Sequence, residues 1–181
     1  MQLYSERIMH RNNPPQSIMV QQTIDKQFHR DLNAEDELGV VVRTHIHIEA
    51  SVIDFIRARV PYPDDLPKLQ YEARLRLAVA LGMKQEYLEG LRLVGSIRNS
   101  FSHNLNATLS EDKTNELFSK LGSEGQELTH KAYAMTNQQL GVKDPPPFTE
   151  LSPKDRFILI AVVLKTYVVA AAHEATTRKC I

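Results

Sequence analysis

Apolar residues recur every three or four positions through most of the chain, and the breaks fall at glycines, prolines and short polar clusters. That spacing predicts a succession of helices. Ser17 caps a first helix running to about Leu32. Asp36 opens a longer one, ELGVVVRTHIHIEASVIDFIRARV, which PYPDDLP ends with three prolines. Pro67 suits the first turn of the next, through KLQYEARLRLAVALG, which closes near Gly82. Another begins near Lys84 and reaches SIRNSFSHNL, residues 96–105. Ser110, followed by Glu111 and Asp112, reads as the N-cap of a segment ending at Leu121-Gly122. A further helix runs from about Glu124 to Leu140-Gly141. VKDPPPF then forms a stiff extended connector, and Ser152-Pro153 caps the last helix.

The stretch VVVRTHIHI is rich in β-branched residues and partly alternates, as a strand does. Its pattern continues unbroken for over 20 residues, longer than strands usually run, and no partner strand is visible elsewhere. The expected fold is therefore an all-α, single-domain bundle of six or seven helices over residues 17–181. Residues 1–16 form a polar N-terminal segment, and 142–152 are a proline-rich connector to the last helix.

The 181 residues suffice for one domain with a substantial core. Lys+Arg and Asp+Glu both total 22, so the basic excess by which duplex-DNA binders neutralise phosphates is missing. Cys180, the only cysteine, rules out a disulfide within the chain and suits a reducing, cytoplasmic setting. The opening MQLYSERIMHRNN has no apolar h-region, so no signal peptide is expected. The apolar run FILIAVVLKTYVVAAA is interrupted by Lys165 and falls short of the roughly 20 residues a span needs. It predicts a buried helix and no membrane partner.

Two charges sit on apolar faces. Leu38, Val42, His45, Glu49, Val52 and Ile56 share one face of the long helix, with Glu49 near its middle. A lone buried carboxylate is costly and should be paired. On the helix that reaches SIRNSFSHNL, Leu91, Val94, Arg98 and Phe101 fall on one face by the same spacing. Glu49 and Arg98 are therefore expected to meet, either as a structural ion pair between helices or as an acid holding the arginine toward a ligand phosphate.

His103 follows Arg98 by five residues, which in a continuing helix turns it away by about 140°. The polar cluster Ser100, Ser102, Asn104 and Asn106 favours a helix end near Ser102, from which His103 swings back toward Arg98. A second copy across a two-fold axis is the other way to bring them together. A histidine at a helix C-terminus also has a simpler role, stabilising the dipole.

The block YEARLRLAVALGMKQEYLEGLRLVGSIRNSFSHNLNATLS resembles the core of proteins related to the mannitol operon repressor. LGVVVRTHIHIEASVIDFI and the final helix after a proline-rich connector fit as well, so the resemblance covers roughly Asp36 to the end. The arginine–four-residue–histidine motif further resembles the higher eukaryotes and prokaryotes nucleotide-binding (HEPN) helical domains. Members of that group are often dimers, and several are metal-independent ribonucleases. The resemblance implies a homodimer and candidate catalytic roles for Arg98, Asn99 and His103. Glu49 matches by position alone, as an orienting acid on an earlier helix.

Two functions follow as expectations. The preferred one is a regulatory helical dimer that acts on transcription through a protein partner. The alternative is a metal-independent endoribonuclease acting on RNA: His103 as general acid or base, Arg98 stabilising phosphorane charge, Asn99 positioning the phosphate, and the 2′-hydroxyl attacking. LAVALGMKQEYLEGL mimics a helix-turn-helix through Ala78, Gly82, Leu88 and Leu91. Its would-be recognition helix carries Glu86 and Glu89 against only Lys84 and Arg92, so direct duplex DNA binding is disfavoured. His45 and His47 stand two apart where a helical zinc pair needs four, and His10, His29, His130 and His173 are scattered. No metal and no cofactor are expected.

Overall fold

The computed structural model of the protein describes residue 28 and residues 30–178. The polar segment 1–16, the Ser17 cap, His10, His29 and Cys180 lie outside the described residues. After helical residues at 28 and 30–33 come α1 (Glu37–Arg59), α2 (Tyr71–Ala80), α3 (Leu88–His103), α4 (Glu111–Ser119), α5 (Gly122–Leu140) and α6 (Pro153–Arg178). Short 3-10 turns stand at Pro63–Asp65, Gln85–Tyr87 and Phe148–Glu150. No strand occurs among the described residues, and the fold is an all-α bundle.

Local chemistry places most of the ends. Asp36 accepts the Gly39 N–H through Oδ1 at 2.7 Å, and Glu37 in the first turn and Arg57 and Arg59 in the last complement the dipole of α1. Ser110 accepts from Lys113 N at the start of α4. Before α6, Ser152 Oγ accepts from Asp155 N and donates to Asp155 Oδ2. At the end of α2, Gly82 has φ 102° while Met83 N bonds Ala78 O and Gly82 N bonds Val79 O. That pair of bonds needs a left-handed residue, which only glycine supplies without strain.

Two starts differ from the expectation. The segment from Pro67 to Gln70 stays outside the helix, and α2 begins at Tyr71. The fixed point is tertiary: the Tyr71 hydroxyl donates to Leu91 O of α3 at 3.0 Å, which seats the first turn of α2 on its neighbour. Lys84 is likewise followed by the 3-10 turn, and α3 begins only at Leu88.

The β-branched stretch is helical because its apolar positions fit a helical face. Val40, Val41, Thr44, His45, Ile48, Ser51, Val52, Phe55 and Ile56 are buried, a set that is continuous at 3.6 residues per turn and broken at two. α1 packs on α6 more extensively than on any other element and also carries α2 and α3. In α6, every residue from Arg156 to Ala161 is buried, and so are Val163, Leu164, Lys165 and Val168. A helix apolar nearly all round belongs inside a bundle or a membrane. By length and composition alone the segment Pro153–Ala175 is long and apolar enough to cross a membrane, because the helix extends beyond the run FILIAVVLKTYVVAAA at both ends. Here α1, α4 and α5 cover half of its most apolar stretch.

A cationic cleft between α1, α2 and α3

α3 runs antiparallel to α1. Leu109 N, beyond the end of α3, bonds Glu37 Oε2 at the start of α1, and Gly95 in mid-helix lies beside His45. Gly95 is what lets α2 close over this pair. A Cβ there would stand 2.8 Å from Cε1 of Tyr71 and 3.9 Å from Nε2 of His45. The ring of Tyr71 fills that space, with its centroid 4.5 Å from the imidazole of His45.

The three helices frame an open cleft of about 650 Å³. From α1 it is lined by His45 and Glu49, from α2 and its approach by residues 68–72 and Arg74, and from α3 by Arg92, Gly95, Ser96, Arg98 and Asn99. Four cations (Lys68, Arg74, Arg92, Arg98) thus face two carboxylates (Glu49, Glu72).

Both acids are taken. Glu49 Oε1 lies 2.5 Å from Arg74 Nη1. Glu72 accepts from Arg92 at 2.6 Å and from Arg76 at 2.8 Å. Hydrogen bonds from Arg92 and then Arg76 hold its carboxyl down to about 2. The Glu72 pairs are solvent-exposed, so they place side chains more than they stabilise the fold. Arg98 Nη1 donates to Asn99 Oδ1 at 2.8 Å and has no carboxylate partner among the described residues. Lys68 has none either, which leaves the cleft with two unmatched positive charges.

His45 is the buried polar group of the site, its side chain 5 % exposed. Its Nδ1 is 3.9 Å from Glu49 Oε2, too long for a hydrogen bond. Burial lowers its pKa and Arg98 adds to the shift, while Glu49 opposes it. The imidazole is therefore neutral at pH 7, with one nitrogen able to donate and the other to accept. Burial, helped by Glu49 and Glu72, pushes the Tyr71 phenol well above its usual range.

The residues expected from sequence separate into two groups. Arg98, Asn99 and Glu49 line one cleft. The ion pair expected between Glu49 and Arg98 is instead made by Arg74, which α2 delivers from its first turn. His103 is exposed and does not line the cleft: α3 continues through it rather than ending near Ser102, so it cannot swing back to Arg98. The polar cluster acts one residue later than expected, where Asn104 Oδ1 accepts from Asn106 N at 2.9 Å. The apolar face of α1 is also only partly covered. Leu38 is 49 % exposed, although it shares the face that carries Val52 and Ile56.

Lys68, Tyr71, Arg74 and Gly95 were missed as site residues. A glycine between Leu91, Val94 and Ile97 in mid-helix is a mark of close approach, and it was the available signal. His45 was visible only as part of the α1 face. The helix-turn-helix look-alike has its two bases occupied: Lys84 bonds Glu124 at 2.9 Å, and Arg92 bonds Glu72 and Glu89. Among the described residues no three His, Cys, Asp or Glu side chains gather closely enough to hold a metal ion. No family model, curated protein or solved structure matches the chain.

Proposed function

We propose that the chain is a regulatory protein that works through protein contacts: a helical homodimer that influences transcription by way of a partner. The observation that carries this reading is an outward apolar row on α1. Leu38 and Ile46 are 49 % and 56 % exposed, and Val42 lies half-buried between them at four-residue spacing. Leu105 is fully exposed in the loop that Glu37 ties to the same end of α1. Exposed apolar side chains gathered toward one end of a helix favour burial against another protein surface. The occupied bases Lys84 and Arg92 argue in the same direction, away from direct reading of duplex DNA.

One observation favours the ribonuclease alternative. Arg98 and Asn99 are hydrogen-bonded to each other on a cationic cleft, as groups that hold a scissile phosphate would be. Within one chain, the general acid or base His103 stands outside that cleft, so the reaction needs a second copy to supply it. Attack by the RNA 2′-hydroxyl on phosphorus would then expel the 5′-oxygen and leave a cyclic phosphate end.

The deciding experiment incubates labelled RNA in EDTA with the wild type, Arg98→Ala and His103→Ala, beside sedimentation of the wild type and Ile46→Asp. The regulatory reading expects three uncleaved lanes and a dimer that Ile46→Asp dissociates. Cleavage by the wild type that both substitutions abolish overturns it.

A further inference from the structure

We infer that the cleft between α1, α2 and α3 is a binding site for a small organic phosphate, with Lys68, Arg98 and the first turn of α2 holding the phosphate group. This goes beyond the partner-contact reading and does not rest on it, because it stands on the chemistry of the cleft alone.

Charge is the first argument. Glu49 and Glu72 are each matched by an arginine within the cleft, and Lys68 and Arg98 are left over without a carboxylate partner among the described residues. Two unmatched cations in one concavity favour a doubly negative guest, since each would otherwise be balanced only by mobile ions.

Helix geometry adds to it. The segment leading into α2 and its first residues line the cleft, and Gln70 at the N-cap places no side-chain oxygen on the first-turn N–H groups. Those donors carry the positive end of the dipole of a 10-residue helix.

A helix start alone is not a site, and His45 supplies the independent observation. Its side chain is 95 % buried (5 % exposed) yet lines the cleft, and neither ring nitrogen has a hydrogen-bond partner among the described residues. Neither nitrogen is sealed in the core, so both take their partner from inside the cleft, and a group bound there can complete them. A phosphate oxygen or an adjacent hydroxyl of the guest would do so.

Size narrows the class of ligand. About 650 Å³ lies within the range of small-molecule pockets and far exceeds what a bare phosphate fills. The remaining wall is neutral and mostly polar, with Gln70, Ser96 and Asn99 available as hydrogen-bonding groups, which suits a hydroxylated body over an apolar one. A polymer phosphate shares the same chemistry, and the test separates the two sources.

Calorimetric titration of the full chain would use ribose 5-phosphate, ribose, inorganic phosphate and a single-stranded oligoribonucleotide at matched ionic strength. The expected result is binding of ribose 5-phosphate, weaker binding of inorganic phosphate and none of ribose. Lys68→Gln and Arg98→Gln should each weaken the phosphate ester about tenfold. Neither substitution leaves an orphaned carboxylate, so both variants should keep the wild-type urea midpoint, and His45→Gln provides a third reading of the same site. The inference is overturned if ribose binds as well as its phosphate. It is equally overturned if neither phosphate binds at millimolar concentration, if Lys68→Gln and Arg98→Gln leave binding unchanged, or if only the oligoribonucleotide binds. RNA cleavage in the separate assay would overturn the regulatory reading without touching this one.

Discussion

Arg74 Nη1 lies 2.5 Å from Glu49 Oε1, which ties the first turn of α2 to the middle of α1 along one wall of the cleft. Both side chains are about one-quarter exposed, at 25 % and 26 %. The pair is thus screened less than a surface bridge, yet not so deeply buried that desolvation cancels its attraction. It leaves Arg98 free of the acid that the sequence spacing assigned to it.

Breaking this pair from either side should destabilise the fold. Arg74→Ala leaves a half-buried carboxylate and should cost about 1–2 kcal/mol. Glu49→Gln should cost a similar amount. Urea unfolding of both single variants and of the double variant checks this, and the double loss should be smaller than the sum of the single losses.

Gly95→Ala should cost about 1–3 kcal/mol, as overpacking in a fitted interior does. Its Cβ would lie 2.8 Å from Tyr71 Cε1, and Tyr71 cannot withdraw without breaking its bond to Leu91 O. Adding Tyr71→Ala should make the alanine at 95 nearly neutral relative to Tyr71→Ala alone, read from the same midpoints.

Acid should weaken the protein before its carboxylates titrate. The pKa values of His45 and His47 are both lowered in the fold, chiefly by burial. As pH falls through the unfolded value of about 6.5, the unfolded chain takes up protons that the folded chain refuses. Stability on this account is full above about pH 7, declines below 6.5 and stops declining once pH is under the folded values. The groups facing His45 are Glu49 on α1, Tyr71 on α2 and Arg98 on α3, and Arg74 reaches it only through Glu49. His45→Gln should flatten the fall in urea midpoint between pH 7 and 5. Arg74→Ala, which frees Glu49 to pair with the imidazole 3.9 Å away, should flatten it too.

The apolar row on α1 predicts a concentration-dependent assembly. Ile46→Asp puts a charge on a side chain already 56 % exposed, so it should leave the unfolding free energy of the monomer within about 0.5 kcal/mol of wild type and still abolish self-association in sedimentation. An unchanged sedimentation coefficient would move the assembly surface elsewhere.

Local information determined the helices. Asp36, Ser110 and Ser152 announce their helix starts because a cap bonds within three residues of itself. Gly82 and Gly141 announce helix ends because a left-handed turn excludes other residues. The 3.6 period of α1 outweighed its β-branched content for the same reason: the face that must be buried is written along the chain. The sequence also marked Glu49 and Arg98 as charges in the wrong place, and both do line the cleft.

What it could not determine was which partners those charges meet. Arg74 competes for Glu49 from a helix whose start depends on a hydroxyl bonding to another helix, and Gly95 sets how closely that helix comes. Electrostatic pairing depends on distances between elements far apart in sequence, and those distances come from packing. His103 shows the reverse case. One further residue of helix at the end of α3, with the following loop anchored by Glu37, was enough to turn the imidazole out of the cleft.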